Sequence, residues 1–203
     1  LESYQDSLSH RVFNIFNKNF KGKQIITSEG VIETRDFSGV LKGLKEKVNP
    51  LCFLRQTKLT QPSKKIFGLS KKIKNTNLIN FCHDLNLLVS ESIRHVTGST
   101  SSYTTAKKSI DQGKGVCQDY AHILISLARL NNIPARYVNG FLLEDLNSKE
   151  SFTHAWVELF INDLGWVGFD PSHKNCINEK YIRISCGMDF LDASTIKGIK
   201  TNY

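Results

Sequence analysis

The stretch Gly113-Lys114-Gly115-Val116-Cys117-Gln118-Asp119-Tyr120-Ala121-His122, continuing through Ile123-Leu124-Ile125-Ser126-Leu127-Ala128-Arg129-Leu130, sets what the rest of the chain must be built around. Two glycines loosen the backbone and a cysteine follows. Cys117, Tyr120, Ala121, Leu124, Leu127 and Ala128 then recur at helical spacing, while Ile123, Ile125 and Leu130 spread the apolar surface around most of the cylinder. Asn131-Asn132-Ile133-Pro134 ends the run, because Asn tolerates a helix C-terminus and Pro cannot continue one. The pattern predicts a central, buried helix with a thiol in its first turn. That position exposes sulfur to the positive end of the helix dipole and to unpaired N–H groups, which favour a thiolate and can cradle an oxyanion. A free cysteine is also one of the most buried residue types and packs as a small hydrophobe, so the thiol alone does not establish chemistry.

Beyond Pro134 the period changes to two. Ala135–Leu142 reads as a strand, Glu144–Ser151 as a polar loop and Thr153–Phe160 as a second strand. Asp163-Leu164-Gly165 then turns the chain into Trp166-Val167-Gly168-Phe169-Asp170, which Pro171 closes. So short a loop requires an antiparallel hairpin, and it returns His154 and Asp170 to the same end. With Gly165 as the left-handed residue of a three-residue loop, Asn162 faces Trp166 and Asp170 falls opposite Glu158, too far from His154. In that register a bulge or a looser loop is needed to join them.

Upstream, Arg11–Phe16, Lys23–Thr27 and Gly30–Thr34 are short β-prone runs, which predicts a β-rich region over residues 1–60 ahead of a core over 61–203. Ser63 is placed to cap a short helix. Residues 77–95 carry a helical stripe through Leu78, Phe81, Cys82, Leu85, Leu88, Val89 and Ile93, and Thr104 or Thr105 caps a further helix that Gly113 closes. Lys180–Ser185 reads as one more strand.

The formal charge of +8 is unevenly spread: residues 1–74 hold 15 Lys+Arg against 6 Asp+Glu, and residues 75–203 hold 12 against 13. The excess lies away from Cys117 and lacks interleaved aromatics, so a solvated face is expected there and nucleic acid is not the expected partner. No run of about eighteen apolar residues exists, which excludes a membrane-spanning helix. The opening Leu1-Glu2-Ser3 has neither the basic nor the apolar segment of a signal peptide, and without a leading Met it is compatible with a fragment. Five cysteines, Cys52, Cys82, Cys117, Cys176 and Cys186, include no CxxC pair; this argues against a disulfide scaffold or zinc site and points to a reducing, cytoplasmic compartment.

A thiol needs a base, and an imidazole acting as that base needs a carboxylate to hold its tautomer and its charge. Cys117, His154 and Asp170 supply those roles in that order. His122 lies about 140° around the helix from Cys117 and Asp119 points nearly opposite, suited to the dipole instead. His10 and His173 have no motif support and default to the surface. Glu158 is the substitute for Asp170, and Trp156 and Trp166 are read as core or site wall. The Cys117 N–H is one oxyanion donor; the second is open among Gln112, Gln118 and Tyr103.

Gly115–His122, Ile133–Phe141, His154-Ala155-Trp156-Val157-Glu158 and Gly165–Ser172 together resemble the transglutaminase-like superfamily, in the bacterial branch described as cysteine proteases. The resemblance covers about residues 62–200 and extends to Cys186–Asp192, where Met188 stands at a position more often occupied by Arg. It implies an α+β, papain-like core, with the Cys-bearing helix packed on an antiparallel sheet and a small β-rich region before it. By the same resemblance Cys117 is the nucleophile, His154 the base and acid, and Asp170 the orienting carboxylate. The expected activity is acyl transfer on peptide or protein amides through a thioester, hydrolytic rather than transamidating, with no cofactor and no metal. The competing expectations are a protein-glutamine transglutaminase and a non-catalytic peptide-binding or scaffold protein.

Overall fold

The computed structural model describes residues 2–17, 22–23, 25–143 and 153–198. In chain order it has β1 (Glu2–Gln5), β2 (Arg11–Asn14), a 3-10 turn (Pro50–Leu54), α1 (Lys64–Ser70), α2 (Leu78–Ser92), β3 (Arg94–His95), α3 (Ala106–Gln112), β4 (Lys114–Gly115) and α4 (Cys117–Leu130). Then follow β5 (Ala135–Leu142), β6 (Thr153–Ile161), β7 (Gly165–Asp170), β8 (Asn175–Cys176) and β9 (Tyr181–Gly187). The five C-terminal strands form one antiparallel sheet in the order β8-β7-β6-β5-β9. This is the expected α+β architecture.

Helix α4 lies across that sheet. Ile123, Leu124, Ile125 and Leu127 have no exposed surface, and they share a core with Ala135, Tyr137, Ala155, Val157, Leu159, Val167 and Phe169 on one face of the sheet. Helices α1, α2 and α3 close the other sides of α4, so its sequence is apolar nearly all round. Each of those four side chains contributes on the order of 2 kcal/mol by leaving water. The helix starts are capped as their sequences indicate: Ser63 accepts from the Ile66 N–H, Asn77 from Asn80 and Thr105 from Lys108. Gly113 ends α3 in the left-handed region, at φ 64°.

The opposite face of the sheet is charged inside. Arg136 and Glu158 are fully buried and paired, Arg183 joins them on Glu158, and Glu46 receives both arginines from the N-terminal segment. The Arg136 guanidinium also lies 3.9 Å above the Trp166 ring. Both tryptophans are core residues, as expected.

Among the described residues, the β-rich expectation for residues 1–60 is met by only one hairpin. Arg11–Asn14 pairs with Glu2–Gln5, but the described parts of the runs at 23–27 and 30–34 carry no strand, and Gln24 lies outside the description. Ile25 is 74 % exposed and Val31 fully so: no neighbouring strand among the described residues takes up their backbone groups. The segment instead reaches the sheet through other contacts. Val40 bridges Val167, the Gly168 N–H donates to Gly39, and Leu41 donates to Trp166. His10, expected at the surface, is half-buried: its Nδ1–H meets Asp6 and its Nε2 accepts the Cys186 N–H at 3.1 Å.

Two glycines make opposite predictions. A Cβ on Gly140 would stand 2.1 Å from the Ile182 carbonyl and 2.6 Å from Trp156, whereas one on Gly68, in α1, meets nothing within 4 Å. Gly140→Ala is therefore expected to destabilise the fold by about 2 kcal/mol or more, because rigid backbone must move. Gly68→Ala should stabilise it by roughly 0.5–1 kcal/mol through helix propensity. Urea unfolding of the two variants checks the sign of each.

Candidate active site

The start of α4 is set by a buried carboxylate. Asp119 accepts from the Val116 N–H at 2.8 Å, from the Thr100 hydroxyl at 2.6 Å and from the Ser109 hydroxyl at 2.6 Å. Three separate pieces of chain, the 100 loop, α3 and the residue before Cys117, are thereby tied to one group. Gly115 is required for this approach, since a Cβ there would lie 2.6 Å from that of Asp119. Strand β4 pairs with β3 just before the helix, which holds the entering backbone from the other side. Asp119 therefore does more than complement the helix dipole. It fixes where Cys117 begins its turn, and the Cys117 N–H is left among the first-turn donors that a helix cannot satisfy itself.

His154 enters from β6 and Asp170 from the end of β7. The hairpin register places Ile161 opposite Gly165 and Val157 opposite Phe169. Relative to the expected register this is a shift of two residues, caused by a turn over 162–164 with Asp163 at φ 70° and Gly165 at φ 82°. Asp170 comes level with Trp156 instead of Glu158, diagonal to His154 on the same face, and no bulge is needed. His154 Nε2 lies 2.6 Å from Asp170 Oδ2.

With Nε2–H given to the carboxylate, Nδ1 of His154 is the nitrogen left for the thiol. Burial by itself disfavours the imidazolium, but hydrogen bonds to Asp170 and to the Cys117 thiol, together with their charges, outweigh it and raise the pKa from 6.5 to about 9. Burial opposes the Asp170 charge as well. The bonds from His154, His173 and Ser172 prevail and hold its carboxyl far below the usual carboxylate range. The ring of His154 stacks on Trp156, with Tyr181 and His173 beside it.

Sequence reasoning missed two groups on Asp170. His173 Nδ1 lies 2.8 Å from Oδ2, and the Tyr181 hydroxyl donates to the same oxygen at 2.9 Å. The Ser172 N–H and hydroxyl serve Oδ1 at 2.9 and 2.6 Å. The signal for His173 was its place three residues after Asp170, in the turn that follows Pro171; Tyr181 had no local signal, being brought in by β9. His154, Asp170 and His173 have donor atoms within 4.8 Å of one another, a spacing compatible with a metal ion, though both nitrogens here point their bonds at one carboxylate oxygen.

The competing candidates lie elsewhere. His122 is buried with its pKa lowered to about 4, chiefly by desolvation, and its Nε2 accepts the Phe190 N–H, a structural role. Glu158 is held by Arg136 and Arg183. Cys117 and His154 open onto a cleft of about 710 Å³, walled further by His95, Thr97, Gln118 and His173.

The family model of the transglutaminase-like superfamily matches residues 68–171, half of the chain, and the chain belongs to that superfamily. A cysteine-protease candidate from Cytophaga hutchinsonii has the same fold, with a TM-score of 0.62 and 26% identity, over 77% of this chain and 53% of that one. An uncharacterised Mycobacterium leprae protein is 33% identical over 110 residues, 52% of this chain and 39% of its own. A protein-glutamine gamma-glutamyltransferase of Pseudomonas aeruginosa is 32% identical over 71 residues, 32% of this chain and 11% of its own. The chain thus spans about two fifths of the mycobacterial relative's length. Among the described residues no helix is long and apolar enough to cross a membrane.

Two outcomes follow from the charges. Asp119→Ala strands two hydroxyls and an N–H in the interior and should cost about 3 kcal/mol in urea unfolding. His154 has a folded pKa above its ordinary value, so its contribution to stability is complete below about pH 6.5 and is lost as pH rises through about 9. Urea midpoints measured from about pH 6 to 10 should fall across that window in the parent and be flatter in His154→Gln.

Proposed function

We propose that this protein is a thiol-dependent acyl-transfer enzyme acting on peptide or protein amides, with Cys117 as nucleophile, His154 as base and acid, and Asp170 as the group that orients and charges the imidazole. The observation that carries the reading is the imidazole of His154, hydrogen-bonded to a buried carboxylate and lining the same cleft as a thiol at a helix N-terminus, with the pKa of the ring raised to about 9 by both neighbours. In this scheme the His154 imidazolium and the Cys117 thiolate form the resting pair. The sulfur attacks an amide carbonyl, its electron pair forming the S–C bond as the carbonyl pair moves to oxygen. On collapse the C–N bond breaks and the imidazolium proton goes to the departing nitrogen, leaving a thioester. Water, deprotonated by His154, then releases the acid.

Hydrolysis is the favoured outcome because none of the described residues that line the cleft is a carboxylate able to receive a cationic amine, while three are histidines. Interception of the thioester by an amine is the second reading, supported by the relative described as a gamma-glutamyltransferase.

Iodoacetamide at pH 6 tests the thiol with an internal reference, the exposed Cys52. An ordinary thiol is well under about 1% ionised there, so a Cys117 thiolate held by the His154 imidazolium should be alkylated at least about tenfold faster. In His154→Ala the ratio should fall to about one. Equal labelling of Cys117 and Cys52 in the parent protein contradicts the reading.

A further inference from the structure

An acyl-transfer site needs two donors for the oxyanion, and of the three side chains considered from sequence two stand away from the cleft and the third is already engaged elsewhere. The Gln118 amide donates to the Ser101 carbonyl at 3.1 Å. Tyr103 is 73% exposed, and neither it nor Gln112 lines the cleft. Two other polar side chains stand on its floor, Tyr137 and Asn139, on the same face of β5 and two residues apart.

Tyr137 has the properties such a donor needs. Its ring is held between His122, with centroids 5.3 Å apart, and Phe190, edge-on at 6.1 Å, and only 1% of the residue is exposed. Among the described residues no acceptor meets its hydroxyl, and that hydroxyl is not among the fully enclosed polar atoms of the core. The small exposed remainder belongs to a residue that borders the cleft beside Cys117. A buried phenol left without a partner is disfavoured, a penalty that a ligand oxygen in the cleft would remove. Desolvation, with the nearby charges of Cys117, Asp119 and Asp189, keeps the phenol protonated. Asn139 is only half-buried, so it lacks this rigidity.

We propose that Tyr137 is a further catalytic residue, whose hydroxyl and the Cys117 backbone N–H together hold the carbonyl oxygen of the substrate as it becomes an oxyanion. This rests on the acyl-transfer reading of Cys117. The phenol keeps its proton throughout; it donates a hydrogen bond while sulfur adds to the carbonyl, and it releases the oxygen when the C–N bond breaks. Because both donors are in place before reaction, the arrangement stabilises developing charge without reorganisation.

Two reagents separate this role from that of the thiol. Iodoacetamide alkylates sulfur by displacing iodide at a saturated carbon and builds no oxyanion. p-Nitrophenyl acetate acylates it through a tetrahedral oxyanion, read as a burst of p-nitrophenolate. Tyr137→Phe, which keeps the ring packing, should leave the alkylation rate of Cys117 within about twofold and slow acylation roughly 100-fold. Acylation within about twofold of the parent overturns the proposal. So does an equal fall in both rates, which assigns the phenol to the thiolate, or a selective loss of acylation in Asn139→Ala alone. A parent protein that shows neither fast alkylation nor a burst instead overturns the acyl-transfer reading, and Tyr137 falls with it.

Discussion

The contact on which the site depends is the one between the Asp170 carboxylate and the His154 imidazole. A carboxylate without exposed surface is stable only if its charge is matched and its oxygens are occupied. Asp170 achieves this with two imidazoles and a phenol on Oδ2, and with a hydroxyl and two backbone N–H groups on Oδ1. The cost of burying it is offset locally, and the surplus appears as a raised affinity of His154 for its proton. Removing the carboxylate would therefore act on the imidazole before it acted on anything else.

A second buried carboxylate, Asp119, works on the backbone. Its three hydrogen bonds hold the residues around the first turn of α4, and Gly115 is the empty space that lets it come so close. The two acids have separate roles, in that Asp119 determines where the sulfur is and Asp170 determines the charge and tautomer of the ring that faces it. The sheet supplies the connection, since α4 packs on one face while His154 and Asp170 project from the other near its end, and Cys117 and His154 both reach one cleft.

Much of this was legible in the residues. The all-round apolar pattern of 117–130 predicted a central helix, and the period-two runs after Pro134 predicted the strands it covers, because both patterns are local consequences of burial. The meeting of His154 and Asp170 was legible only as a shared end of a hairpin. Its register depended on whether Asp163 would accept a positive φ, and that is decided by the closure of the whole turn. Tyr181 on Asp170 and His10 on Cys186 were invisible because they arise from long-range pairing with no local signature. The runs at 23–27 and 30–34 show the converse error: β-propensity without a neighbouring strand leaves apolar side chains in water.

The central claim is that one imidazole is shared between a thiol and a buried carboxylate, and direct titration of the His154 ring by nitrogen-15 NMR tests it. The account predicts a pKa of about 9 in the parent chain, with a hydrogen-bonded Nε2–H, and a downward shift when Cys117 is replaced by Ser. A ring that titrates near 6.5 and does not respond to the loss of the thiol would contradict it.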